Sequence, residues 1–178
     1  MRDEYKNRKY DIRHYDPAWA AEFGLLAGDL KDVFGADAVA IEHVGSTAVP
    51  GMSGKPTLDV LVLVEDLSAA GRHERQMSEA GYERLDEYVS PGSMLFRRME
   101  GGEVLENVHA FRKDHPHVRE MIALRDYLRS HPEEIRAYSG LKEKLFREHP
   151  GDYTAYRKAK DAYVKELQTR AEGAMGRG

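Results

Sequence analysis

Glu42-His43-Val44-Gly45-Ser46-Thr47-Ala48-Val49-Pro50-Gly51-Met52-Ser53-Gly54-Lys55-Pro56-Thr57-Leu58-Asp59-Val60-Leu61-Val62-Leu63-Val64 sets a Gly-Ser turn, a lysine and one carboxylate beside two apolar runs that read as core strands. The run Leu58 to Val64 is short, β-branched and almost wholly apolar, so an acid at Asp59 is either paired or used. Asp59 is therefore the first candidate for function. Glycine lets a backbone approach a phosphate closely, and a serine hydroxyl with neighbouring amides donates to its oxygens, a task that fits Gly45, Ser46 and Thr47. Taken alone, the same residues read more simply as a turn in which Ser46 or Thr47 satisfies a helix end.

Outward from this stretch the chain divides by pattern. Asp16-Pro17 is a helix start, and Trp19, Phe23, Leu26, Leu30 and Val33 then recur at helical spacing up to Gly35. Val39 to Val44 and Leu58 to Val64 read as strands, with a loop between them that has room for one helical turn. Ser68 to Ala80 reads as a helix closed by Gly81. Tyr82 to Val89, Met94 to Met99 and Val104 to Phe111 read as three strands, with Pro91-Gly92 and Gly101-Gly102 as tight turns. Such turns imply antiparallel hairpins rather than a doubly wound parallel sheet. Beyond His117 the pattern is helical, with Pro132 and Pro150 as expected helix starts and Gly173 to Gly178 as a frayed end.

Length and charge bound the function. At 178 residues the chain fits one domain, expected over residues 1–172. A formal net charge of −4 argues against broad nucleic-acid binding, which needs many phosphate-facing cations. Zero cysteines exclude disulfides, thiol catalysis and cysteine-ligated zinc. No apolar run spans a bilayer, and the charged start Met1 to Lys6 lacks the core of a secretion signal, so no membrane and a cytoplasmic location are the expectations.

Gly45-Ser46, followed at a loop's distance by a strand holding Asp59, resembles the signature of the nucleotidyltransferase superfamily. Within it, the wording from His43 to Gly51, then Lys55-Pro56 and Leu58-Asp59-Val60, is similar to the GrpB family. Val108-His109, the run Leu124-Arg125-Asp126-Tyr127-Leu128-Arg129 with His131-Pro132, and Tyr138, Lys142, Tyr156 and Lys160 extend the resemblance over Tyr15 to Ala171. It implies an α/β (α+β mixed) nucleotidyltransferase-like fold, a small mixed sheet with flanking helices and a helical C-terminal part.

The superfamily resemblance also frames the chemistry. Its members hold magnesium with a strand carboxylate and a second one two residues on, because alternate strand residues share a face. Here the second position is Leu61. Asp66 lies beyond the strand on the other parity and reads as an acid opening the next helix. Asn107 and His109 share one face of the last strand, where GrpB relatives tend to show His-x-His. His109 is thus a candidate ligand or proton-transfer group, and a partly buried histidine donating to a carbonyl is an equal reading. Glu42 is a further metal candidate, and His43 faces the opposite way. Other histidines lack a metal-like spacing.

Lys55 can neutralise a phosphate as a point charge, although loop lysines are usually just solvated. Arg125, Arg129, Lys142 and Lys160 can face the cleft from the C-terminal helices, Lys142 and Lys160 ranking first because they fall in the family-like wording. Tyr138, Tyr153, Tyr156 and Tyr163 read as helix packing.

The function expected is recognition of a nucleotide or other phosphorylated small molecule between Ser46, Asp59 and the C-terminal helices, extending to nucleotidyl transfer to an unknown acceptor. The competitor is a catalytically silent nucleotide-binding or protein-interaction module; GrpB-like domains also occur joined to dephospho-coenzyme A kinase, where folding assistance or regulation is conceivable. A metal-dependent hydrolase using His109 is a third reading. With Leu61 in place of a carboxylate, the protein alone should bind magnesium weakly or not at all, Mg²⁺ arriving with nucleotide.

Overall fold

The computed structural model describes residues 9–175. The charged start Met1 to Lys6, and the part of the expected tail beyond residue 175, lie outside them. Asp16 Oδ1 accepts the Ala18 N–H at 2.9 Å and opens helix α1, Ala18–Phe34, whose Trp19, Leu26, Leu30 and Phe34 are buried. A short 3₁₀ turn, Gly35–Asp37, leads into strand β1, Ala40–Val44. The loop after it carries one 3₁₀ turn, Ser46–Ala48, and ends in β2, Leu58–Val64, the span expected from its apolar run.

The next helical stretch is broken. Asp66 caps α2, Leu67–Arg72, by accepting the Ser68 N–H at 2.7 Å, and α3 follows as Glu74–Glu79. The single helix expected over Ser68 to Ala80 is interrupted at His73, whose ring packs on Phe34 and whose Nε2 lies 2.8 Å from Asp37 Oδ2. That tertiary tie holds the junction residue outside helical geometry (ψ 5°).

Strands β3 (Tyr82–Asp86), β4 (Ser93–Glu100) and β5 (Glu103–Arg112) form the two hairpins that the Pro-Gly and Gly-Gly turns predict. Gly92, Gly101 and Gly102 all have positive φ there, as such turns require. Helices α4 (Pro116–Ser130), α5 (Pro132–Glu148) and α6 (Tyr153–Met175) complete the order. Pro132 opens α5 as expected. Pro150 does not open α6: Asp152 does, its Oδ1 accepting the Ala155 N–H at 2.9 Å. The helix continues through Gly173, so the tail begins later than its glycines suggest.

The five strands form one mixed sheet in the order β1-β2-β5-β4-β3, with β2 and β5 parallel and all other pairs antiparallel. Alternation then sorts the side chains into two layers. Leu58, Val60, Val62 and Val64 of β2, with Phe96, Val108 and Ala110, pack beneath α1, α2 and α3. Leu61, Leu63 and Phe111 face the other way, under Val118, Met121 and Ile122 of α4. A third cluster, Val49, Met52, Leu128, Tyr138 and Leu167, locks the loop after β1 against the C-terminal helices. No helix among the described residues is long and apolar enough to cross a membrane.

His43 shows how tightly β1 is held. Its ring stacks on Phe23 of α1, with centroids 4.5 Å apart and planes within 12°, and its Nε2 lies 2.9 Å from Thr47 Oγ1. Burial pushes its pKa from 6.5 down to about 4, Asp59 opposing the shift and Arg129 and Arg125 adding to it. Above pH 6.5 the ring is neutral in both folded and unfolded chains. Between 6.5 and about 4 only the unfolded chain takes up the proton, so stability should fall with pH, by up to about 3 kcal/mol. Urea unfolding across this window should give a flatter profile for His43→Gln than for wild type; an identical slope would assign the titration to another group.

Candidate functional site

Asp59 is the second residue of β2. Its register partners are Val44 on β1 and Asn107 on β5, and Arg97 of β4 lies beyond Asn107. Asn107 Nδ2 donates to Asp59 Oδ1 at 2.9 Å, while Arg97 Nε donates to Asn107 Oδ1 at 3.1 Å. Arg97 is 2% exposed and its guanidinium lies 4.7 Å from the Tyr88 ring centre. Polar contact thus runs across three strands, through a buried arginine that the sequence reading did not single out. Its signal was present: Arg97 directly follows the apolar run Met94-Leu95-Phe96 in a strand, where a buried charge must find partners.

His109 lies one step further along β5, level with Leu61. Its Nε2 is 3.5 Å from Asp59 Oδ1, a long contact, and its buried Nδ1 has no hydrogen-bond partner among the described residues. Burial alone would raise the Asp59 pKa. Contacts with His109, the Lys55 charge and the Asn107 hydrogen bond outweigh it and hold the carboxyl below its ordinary range. Though walled in by protein, the Asp59 side chain remains 28% exposed, so its ionised form faces water or a ligand.

The Gly-Ser turn lies directly against this carboxylate. Gly45 adopts φ 74°, and a Cβ placed there would come within 2.6 Å of Asp59 Oδ2. Glycine is required twice, for the left-handed backbone and for the approach. Ser46 Oγ accepts from Lys142 Nζ at 2.9 Å, and Gly54 packs against both, a Cβ there falling 2.5 Å from Ser46 Cβ and 3.7 Å from Lys142 Nζ. Lys142 is 2% exposed, its ammonium lies 4.4 Å from the Tyr138 ring centre, and it makes no salt bridge among the described residues. The neighbouring Glu143 is turned to Ser53, whose Oγ donates to it at 2.7 Å. Burial, followed by Lys160 and Lys55, holds the Lys142 pKa well below that of an ordinary lysine.

Lys55 and Lys160 close the cluster. Lys55 Nζ donates to Tyr153 OH at 3.0 Å, and its charge acts on both Asp59 and Lys142. Lys160 of α6 is half-buried and makes no salt bridge among the described residues; burial lowers its pKa against the fields of Tyr153 and Asp59. The structure therefore brings Gly45, Ser46, Asp59, Asn107, His109, Lys55, Lys142 and Lys160 to one end of the sheet.

Other expected site residues are used differently. The Thr47 hydroxyl is buried and turned inward, donating to the Thr57 carbonyl at 3.3 Å and meeting His43. Glu42 shares the face of Asp59 but stands level with Leu61, and its Oε2 accepts from Arg125 Nη1 at 2.7 Å. Arg125 also donates to the His43 carbonyl, and Arg129 donates twice to the Ala48 carbonyl, at 2.9 and 2.7 Å. Both arginines fasten the turn to α4 instead of facing a ligand. A groove of about 540 Å³ lies on the opposite side of the sheet, between α1 and residues including Leu58, Tyr82 and Glu106. Its one cation, Arg98, is engaged by Glu106.

The magnesium site implied by the superfamily does not fit this donor set. Leu61 is fully buried where the second carboxylate would stand, Glu42 is engaged by Arg125, and no three His, Cys, Asp or Glu side chains among the described residues converge as metal ligands. Asp59 Oδ2 alone cannot provide near-octahedral oxygen coordination.

A Gly-Ser turn laid against a strand carboxylate, on a small mixed sheet flanked by helices, defines a nucleotidyltransferase-like α/β domain. A family model described as GrpB protein matches residues 9–170. The chain is 33% identical over 168 residues to the UPF0157 protein YqkA of Bacillus subtilis, covering 94% of this chain and 49% of that protein. It thus spans about half the length of YqkA. It is 30% identical over 158 residues to the glutamate-rich protein GrpB of Alkalihalophilus pseudofirmus, covering 84% of this chain and 88% of that one. A dephospho-CoA kinase of Mycolicibacterium paratuberculosis matches at 28% over 180 residues, covering 88% of this chain and 44% of the kinase. The crystal structure of GrpB from Enterococcus faecalis superposes with a TM-score of 0.86 at 30% identity, covering 90% of this chain and 96% of that one. The chain belongs to the GrpB family.

The contact between Gly45 and Asp59 can be tested by comparison. Gly45→Ala combines a strained φ with a clash on Asp59 and should cost about 2 kcal/mol or more. Gly51→Ala has φ 84° too, yet its nearest neighbour is Ile135 Cγ2 at 4.0 Å, so it should cost only about 1 kcal/mol. Equal losses in urea unfolding would mean that the approach to Asp59 carries no constraint.

Proposed function

We propose that this protein binds a phosphate-bearing small molecule, a nucleotide foremost, between the Gly45-Ser46 turn, Asp59 and helices α5 and α6. The observation that carries this reading is Lys142. A long, flexible cation is almost never buried without a partner, because desolvating its charge is costly. Here Nζ meets a neutral serine hydroxyl and an aromatic ring, with two further lysines in electrostatic range. A phosphate placed on Ser46 supplies the missing negative charge, and charge-assisted hydrogen bonds then offset the cost of burial.

Nucleotidyl transfer is the catalytic extension of this reading. Asp59 would orient the reacting groups, and His109 is the group able to exchange a proton beside it. Leu61 favours the alternative of binding without transfer, as in a nucleotide-responsive or protein-interaction module, because it removes the second carboxylate from the strand. The expected location remains the cytoplasm, where nucleotides are available.

Thermal unfolding tests the binding. A ligand selective for the folded state at about 100 times its Kd stabilises by about 2.7 kcal/mol, which corresponds to a rise of about 5–10 °C in Tm for a chain of this size. ATP and inorganic tripolyphosphate should produce such a rise. Ser46→Ala and Lys142→Met should reduce it while leaving the ligand-free protein folded. No shift with any common nucleotide at millimolar concentration would leave the protein-interaction module as the better reading.

A further inference from the structure

Beyond phosphate recognition itself, the side chains around Asp59 bear on the state in which the ligand enters. This step rests on the phosphate-binding reading and concerns what neutralises the bound phosphates. Two carboxylates holding a divalent cation would place positive charge between protein and phosphate. Here the same end of the sheet supplies one carboxylate and three ammonium groups. Lys55 and Lys160 act electrostatically on Asp59 from the loop before β2 and from α6, and Lys142 reaches Ser46 from α5. The acids next to Lys142 and Lys160 have other partners: Glu143 accepts from Ser53, and Asp161 pairs with Lys165 at 2.8 Å.

We infer that Lys55, Lys142 and Lys160 stand in for the metal, so that this protein takes a polyphosphate as the free anion and not as its magnesium complex. Three independent features converge on this. Leu61 is buried in the apolar cluster with Leu63 and Phe111, so that position cannot be converted to a ligand by a small side-chain movement. Glu42, the other carboxylate on this face of β1 and β2, is engaged by Arg125. Asp59 Oδ1 is occupied by donors, Asn107 at 2.9 Å and His109 at 3.5 Å, leaving Oδ2 against Gly45.

Asp59 therefore acquires a different role. It is a positioning residue that acts on Lys55 and Lys160, and once a phosphate arrives its negative charge repels it. A metal-ligating aspartate and a lysine-gathering aspartate make opposite predictions. Removing the first weakens binding of the metal complex; removing the charge of the second strengthens binding of the free anion. A magnesium ion bound to the phosphates would also bring positive charge into a cluster that already carries three cations.

The test is calorimetric titration of the whole protein with ATP and, separately, inorganic tripolyphosphate. Each is run in EDTA and in excess MgCl₂, with ionic strength matched by NaCl. The expected result is binding in EDTA and a Kd about tenfold or more weaker with magnesium. Asp59→Asn should tighten the metal-free Kd by about tenfold, and Lys55→Gln and Lys160→Gln should each weaken it about tenfold. Melting curves of the ligand-free variants separate these effects from loss of fold. Binding that requires magnesium and disappears in Asp59→Asn, with Lys55→Gln and Lys160→Gln little changed, would overturn the inference while leaving phosphate recognition intact. Absence of binding under both conditions would overturn the two together.

Discussion

The parallel pairing of β2 with β5 is the constraint on which the site depends. It sets Asp59 beside Asn107 and Leu61 beside His109, and it buries β2 on both faces. Because side chains alternate along a strand, a one-residue slip would send Asp59 beneath α1 and bring its apolar neighbours out towards the turn. The packing of Val60 and Val62 beneath the first three helices, and of Leu61 and Leu63 under α4, makes such a slip costly. The Asp59 end of the sheet is thus registered by hydrophobic residues.

On that framework, charge and geometry pull in different directions and are reconciled locally. Asp59 is enclosed, which disfavours its ionised form, yet donors and a nearby lysine restore it. Lys142 is enclosed with no salt bridge among the described residues, and the charge of Glu143 only partly offsets its burial. The asymmetry is informative. A structural ion pair would have satisfied both groups at once; here the carboxylate is satisfied, while Lys142 meets a serine hydroxyl and an aromatic ring.

The family-like run Leu124 to Arg129 acquires a physical meaning in the same way. Arg125 and Arg129 lie on α4, and their side chains reach the His43 and Ala48 carbonyls on either side of the Gly-Ser turn. Multiple donors on a planar guanidinium suit this work better than a lysine's point charge. These arginines hold the turn at its distance from Asp59, so a change in them would reach the site without touching a ligand.

Much of the architecture was legible in the chain. The β-branched run of β2, the Gly-Gly and Pro-Gly hairpins, Asp16 and Asp66 as helix openers and the proline starting α5 all act within a few residues, where local backbone preferences dominate. Gly45, Ser46 and Asp59 were legible as candidates because each is chemically out of place in, or between, apolar strands. Their common environment was not, and neither were the partners that Thr47, Glu42 and Arg125 take in the fold. Which way a side chain turns is decided by partners far away in sequence: Thr57 for Thr47, Arg125 for Glu42, Phe23 for His43. The sequence by itself determined the strands, the turn and the presence of one strand carboxylate where its superfamily carries two. Only the tertiary structure gathered Lys55, Lys142 and Lys160 at the end of the sheet that holds the Gly-Ser turn and that carboxylate, because they come from a loop and two different helices whose mutual positions are set by packing rather than by any local pattern.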